Sequence, residues 1–251
     1  MGSIMKTLIS TVAAVVLLGQ ASALALEPAT PVQAPTLKVG DSWIFEDTNE
    51  AGPTGFARHR EIHTIERVNS DSMVVALKVV DSPTAPQNRV VGLDWAARMV
   101  IDGEEKSTSR PLSFPMRVGE SWVADYTDPN RHGNQLKVHV HTTYKVIGWE
   151  DVTVPAGTFH ALKIENNGSA DADILIPSVA QSTAVAGGGS GTAVSHAQVG
   201  GRGVMHRKVF SLIYYAPEVK HAIKTVDEQY NEAEVMTGRV TTELVSFKLA
   251  Q

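Results

Sequence analysis

After Leu37 the apolar residues recur mostly with period two, and that period predicts strands. Met73, Val75, Leu77 and Val79 alternate with Val74, Ala76, Lys78 and Val80. This reads as a strand buried on one face and partly on the other. The clearest run is Leu136 to Trp149. Leu136, Val138, Val140, Tyr144 and Val146 fall on one face, with Lys137, His139, His141, Thr143 and Lys145 on the other. A long antiparallel strand with a core side and a wet side is expected there.

Turn signals divide the remaining strands. Ala97–Ile101 meets Asp102-Gly103, a strong hairpin dipeptide, and Glu104–Ser109 returns. Ser121–Thr127 ends near Asp128-Pro129-Asn130. Asp151–Val154 leads through Pro155-Ala156-Gly157 into Thr158–Glu165, where proline presets the backbone and glycine closes the turn. Residues 168–203 interrupt the pattern. They are rich in Ala, Ser, Thr and Gly, include Gly187-Gly188-Gly189-Ser190-Gly191, and lack aromatic residues. Such a stretch buries little apolar area to offset its ordering entropy, so a long flexible loop is expected, its Gly-rich part, 177–203, reading as an insertion. Strands resume at Val204–Tyr215, His221–Tyr230 and Arg239–Leu249, and Thr225–Val235 is ambiguous in type.

One phrase occurs twice. Residues 37–45 read Leu-Lys-Val-Gly-Asp-Ser-Trp-Ile-Phe, and residues 116–124 read Met-Arg-Val-Gly-Glu-Ser-Trp-Val-Ala. Gly40 and Gly119 read as turn positions, with Trp43 and Trp122 opening the strands that follow. The expected fold is all-β: an antiparallel meander of long strands forming a bent sheet, half-barrel or sandwich with a partial internal duplication. One domain, 37–251, would hold a first meander over 37–111 and a second over 112–251.

The chain begins differently. Lys6, the apolar run Leu8–Leu18 and the small residues Ala21, Ala23 and Ala25 have the form of a secretory signal over residues 1–25. That apolar run is shorter than the roughly 20 residues needed to span a bilayer, and no later segment is apolar enough to do so. Residues 26–36, with Pro28, Pro31 and Pro35, read as an extended, loosely held leader. An exported, periplasmic protein is expected. The absence of cysteine excludes disulfides, thiolate chemistry and a cysteine-borne lipid anchor. The net charge is −5 at pH 7 and becomes −6 without the signal. With no basic stripe, nucleic acid is not an expected partner.

Candidate chemistry is sparse. His139 and His141 share a strand face, as do His59 and His63, and four imidazoles with Glu61 or Glu150 suit a tetrahedral metal site. The alternation equally places His139 and His141 on a solvated face beside Lys137 and Lys145. Ser190 misses the G-x-S-x-G spacing by one residue. The only S-x-x-K match, Ser3 to Lys6, lies in the signal. The acid pairs Glu104-Glu105, Glu150-Asp151 and Asp227-Glu228 are adjacent in sequence, so their carboxylates point to opposite faces of a strand. Asn167-Gly168-Ser169 fits a glycosylation sequon by chance. Trp43, Trp95, Trp122, Tyr144, Trp149, Tyr214 and Tyr215 either fill a core or line an apolar cavity.

The hairpin Gly148–Ile164, with Val-Pro-Ala-Gly-Thr-Phe at its turn, is preceded by Val118–Trp122 and followed by Tyr214–Val219. Together these resemble a group of bacterial envelope proteins of unknown function, mainly over residues 112–249. The resemblance implies an exported antiparallel β-fold and brings no catalytic residues. One departure is Lys220, where the group's pattern continues with glycine. No catalytic motif is present, so the leading expectation is a non-enzymatic envelope protein with a lipid or other apolar ligand in a β groove and no cofactor. The alternatives are a module docking onto an envelope protein complex, or a histidine-based metal protein.

Overall fold

The computed structural model describes residues 30–51, 55–101, 103–129, 135–176, 179–182, 195–198 and 200–251. The signal region 1–25, Asp102 and Ser190 lie outside them. Every described element is a strand: β1 (Ser42–Ala51), β2 (Gly55–Val68), β3 (Ser72–Val79), β4 (Gln87–Gly92), β5 (Ala97–Ile101), β6 (Glu104–Ser109), β7 (Ser121–Asp128), β8 (Gln135–Val154), β9 (Gly157–Ile176), β10 (Val179–Ser182), β11 (Ser195–Gln198), β12 (Gly201–Ala216), β13 (His221–Tyr230) and β14 (Met236–Lys248). The described residues contain no helix long and apolar enough to cross a membrane.

Twelve strands form one antiparallel sheet in the order β6-β5-β4-β3-β2-β1-β14-β13-β12-β9-β8-β7, and β10 and β11 pair separately. The order has a simple logic. Strands β1 to β6 form one six-stranded meander, and β7, β8, β9, β12, β13 and β14 form another. The first strand of one pairs with the last strand of the other, β1 with β14. The free ends, β6 and β7, approach without a ladder between their described residues. The Trp122 indole spans that gap, donating from Nε1 to Arg110 O at 2.8 Å. The sheet is therefore bent into a nearly closed barrel.

The doubled phrase has matching backbone geometry. Gly40 and Gly119 have φ of 90° and 87°, which glycine adopts without a Cβ clash. Gly40 N donates to Ile65 O at 2.9 Å, and Gly119 N to Val146 O at 2.8 Å. The amides of Ile65 and Val146 return bonds to Asp41 O and Glu120 O, both at 2.9 Å. The acid of each phrase closes its turn: Asp41 Oδ2 accepts from Lys38 N at 3.0 Å, and Glu120 Oε2 from Arg117 N at 3.1 Å. The tryptophans diverge. Trp43 is fully buried and donates to Val219 O at 2.9 Å, whereas Trp122 sits half-buried at the sheet edge, stacked on Tyr144.

Two apolar clusters hold the sheet. One gathers Trp43, Phe45, Met73, Val75, Tyr214 and Leu244, and the other gathers Leu112, Met116, Val146, Ile164, Ile213 and Tyr215. Neighbours on β12 alternate between them, because successive strand side chains point to opposite faces. Tyr214 and Ala216 join the first cluster, Ile213 and Tyr215 the second.

Two expectations require correction. Residues 168–176 and 201–203 are strand, because β9 and β12 pair without interruption from Gly201↔Ile176 to Tyr215↔Leu162. Ladder hydrogen bonding satisfies that backbone although its side chains are small. Gly168 belongs there for a steric reason: a Cβ would lie 2.1 Å from His141 O. Most of 177–203 lies outside the described residues, apart from β10, β11 and 200–203. The described part of the leader is extended but not loose. Val32 and Met116 exchange backbone hydrogen bonds of 2.8 and 2.9 Å, and Val32 packs on the second cluster. The ambiguous stretch after Thr225 is strand to Tyr230, followed by a turn at Asn231.

Candidate ligand cavity

The bent sheet carries two adjoining compartments that share lining residues. The first, of about 240 Å³, is walled mainly by Val75 and Leu77 of β3, Val91 of β4, Trp95, Leu112 and Ile213 of β12, with Arg89 of β4 as its charged member. The second, of about 390 Å³, carries more polar side chains among apolar ones, and it shares Pro111, Ile213 and Thr225 with the first. Together the compartments fall in the roughly 300–1,000 Å³ range of small-molecule sites.

The apolar compartment is built at two turns. Between β4 and β5, Trp95 N donates to Gly92 O at 3.0 Å, and Ala96 N to Asp94 Oδ1 at 3.1 Å. Trp95 has a φ of 62°, a left-handed backbone that costs a bulky residue about 1–2 kcal/mol. Its indole donates to Lys220 O at 3.1 Å in the turn between β12 and β13, where Lys220 also has a φ of 62°. His221 then lies against Trp95 with ring centroids 3.9 Å apart, and near Phe45 at 4.9 Å. Burial lowers its pKa from 6.5 to about 3, the neighbouring His63 adding to the effect and a hydrogen bond to Ala222 O opposing it. Burial likewise lowers the pKa of His63 despite a contact of 3.0 Å with Glu61. Both rings are neutral at pH 7, which suits an apolar wall.

The polar compartment follows from register. Tyr144, Asn166, Ser211 and Asp227 lie side by side on β8, β9, β12 and β13, each paired with the next. Thr142 is buried on the same side of β8 as Tyr144, and Tyr126 lines the compartment from β7. Burial raises the pKa of Tyr144 to about 12 and raises that of Tyr126, so both phenols are neutral. Asp227 is exposed and is among the residues lining the compartment. Burial raises its pKa, hydrogen bonds from Ser211 and Thr225 oppose that, and the charge of Asp47 reinforces it. Asn166 is only 6% exposed, and its Oδ1 has no hydrogen-bond partner.

Of the aromatic candidates, Trp95 and Tyr144 line the cavity. Trp43, Tyr214 and Tyr215 are core side chains. Trp122 is at the sheet edge. Trp149 is 38% exposed and stacks on His160. The four candidate histidines do not converge. His59 and His63 are on β2, where His59 pairs with Asp47 at 3.2 Å and His63 with Glu61. His139 and His141 are on β8, exposed, and both hold Asp125, at 3.0 and 2.7 Å. Among the described residues no group of three or more His, Cys, Asp or Glu has a geometry that could hold a metal ion. Glu150 pairs instead with Lys163 at 3.2 Å, and Asp151 with His160 at 2.7 Å.

Asn166, Ser211 and Asp227 were not legible as site residues, although one signal was present. Leu162, Ile164 and Asn166 share a face, as do Tyr215, Ile213 and Ser211, so a polar residue closes each buried apolar series.

No known protein family matches the chain, and no curated protein is a recognisable relative. Among solved structures it is similar to a protein from Parabacteroides distasonis named as a lipoprotein, with a TM-score of 0.44 and 12% identity over 87% of this chain and 100% of that one. It is also similar to a protein from Bacteroides fragilis named as exported with a YmcC-like fold, with a TM-score of 0.39 and 11% identity over 87% and 100%. A third is the hypothetical lipoprotein YmcC from Escherichia coli, with a TM-score of 0.34 and 9% identity over 82% and 85%. At that distance nothing of their chemistry transfers to this chain.

Proposed function

We propose that this is an exported, non-enzymatic binding protein of the bacterial envelope, which carries an apolar or amphipathic small molecule inside its bent sheet. The observation that carries the reading is a pair of adjoining pockets, an apolar one under Trp95 and one richer in polar side chains, which share Pro111, Ile213 and Thr225. A folded chain of this size normally fills such space with side chains. The histidines at the apolar wall are neutral, so Arg89 is the one charged side chain lining it among the described residues. The signal-like sequence over residues 1–25 supports an exported carrier, acting where lipids and other envelope amphiphiles must cross water. The reading is tested by native mass spectrometry of protein purified from the periplasm without detergent. A bound species lost on organic extraction supports it. A mass equal to the bare mature chain, with no uptake of added decanol, overturns it.

A further inference from the structure

We infer that the polar compartment is a head-group site for a primary amine, so that the ligand is a single-chain amphiphile with a cationic head and an apolar tail. This rests on the carrier reading and adds the chemistry of the head. Three observations support it.

Asn166 is buried and lines the compartment, and its amide oxygen has no hydrogen-bond donor. A buried acceptor left unpaired is costly, so the site is incomplete without a group that donates a hydrogen bond. Asp227, two strands away on the same rung, places a carboxyl on the same space. No Lys, Arg or His lines this compartment. Lys224 lies on the opposite face of β13 and pairs with Glu243 at 2.8 Å, His59 is held by Asp47, and Arg89 lines the neighbouring compartment rather than this one. An ammonium group supplies both the missing donor and the missing positive charge. A hydroxyl supplies only the donor, and a carboxylate supplies neither and meets Asp227 as a like charge. The tail then has one apolar direction to follow, past Ile213 and Thr225 into the compartment walled by Val75, Leu77 and Trp95.

The test is a tryptophan-fluorescence titration of the full mature chain with decylamine, decanol and decanoate, which share a chain length and differ in the head. Decylamine is expected to bind at least about tenfold more tightly than decanol, the scale of one charge-assisted hydrogen bond, and decanoate most weakly. In Asp227→Asn the decylamine-to-decanol ratio should fall to within about threefold, since the charge is gone and only neutral bonds remain. Asn166→Ala should lower the ratio in the same direction, and it serves if Asp227→Asn fails to fold. Equal binding of the three probes overturns the head-group assignment while leaving the carrier reading intact. A decylamine preference that survives in the variants overturns it too, since the amine then sits on the acidic surface. Failure of every probe to bind overturns the carrier reading and this inference together.

Discussion

Lys220 Nζ lies 3.0 Å from Asp41 Oδ2, joining the turn between β12 and β13 to the first copy of the doubled phrase. Asp41 is fully buried and also accepts from Lys38 N at 3.0 Å and Ala250 N at 2.7 Å. Three chain segments thus converge on one carboxylate. Lys220 keeps the left-handed backbone that glycine would favour, with a φ of 62°, and adds a cation for Asp41.

Replacing Lys220 should therefore have a graded effect. Lys220→Met removes the cation, leaves the carboxylate buried, and keeps the backbone strain, for a loss of about 3 kcal/mol. Lys220→Gly loses the same pair but relieves about 1 kcal/mol of strain. Urea denaturation should rank wild type, then Lys220→Gly, then Lys220→Met. Two variants as stable as wild type would show that Asp41 does not depend on the lysine, and the reverse order of the two would show that the left-handed backbone carries no strain.

His221 should govern part of the acid sensitivity. Its pKa falls from 6.5 in the unfolded chain to about 3 in the fold, because burial penalises the charged ring. Between those values the unfolded chain binds the extra proton, so stability is full above pH 6.5 and is lost as pH falls. From pH 7 to pH 5 this one group accounts for about 2 kcal/mol. His221→Phe should flatten that limb of the urea-midpoint profile by about this amount.

Asp227 acts with the opposite sign. Its pKa is raised in the fold, so its contribution is greatest below the ordinary value of 3.8 and is lost as pH rises through the raised one. Asp227→Asn should therefore gain stability relative to wild type at pH 7 and lose that advantage at pH 3. A variant less stable than wild type at pH 7 would mean that Asp227 is a structural anchor rather than a carboxyl facing the cavity.

Gly168 tests the pairing of the long strands. A Cβ there would meet His141 O at 2.1 Å and Thr142 Cα at 2.6 Å, both backbone atoms. Gly168→Ala should cost roughly 3 kcal/mol or more through forced separation of β8 and β9. Gly148→Ala, where a Cβ meets nothing within 4 Å, is the control and should change the thermal midpoint far less.

The all-β class was readable because alternation is a local signal. Val138, Val140, Tyr144 and Val146 announce their face within one strand. The doubled phrase was equally readable, since both copies close a turn through the same glycine and acid. The length of β9 and β12 was not readable. It depends on pairing between segments far apart in sequence, and Ala170, Ala172 and Gly203 have little strand preference of their own. The site was half visible. Trp95 and Tyr144 stand out by type, whereas Asn166, Ser211 and Asp227 acquire meaning only when register sets them in one rung. The solvated face of His139 and His141 was readable from alternation, but type and spacing on a strand do not reveal which strands become neighbours. β2 and β8 do not pair.

The central claim is that the bent sheet holds a ligand in the compartment beneath Trp95. The most direct measurement is decanol binding to wild type and to Ala222→Phe, whose new ring would occupy the apolar compartment that Ala222 lines. The Trp95 environment should make wild-type fluorescence shift saturably, and the variant, folded by circular dichroism, should show no saturable shift. Equal binding in both proteins, or none in wild type, would contradict the account.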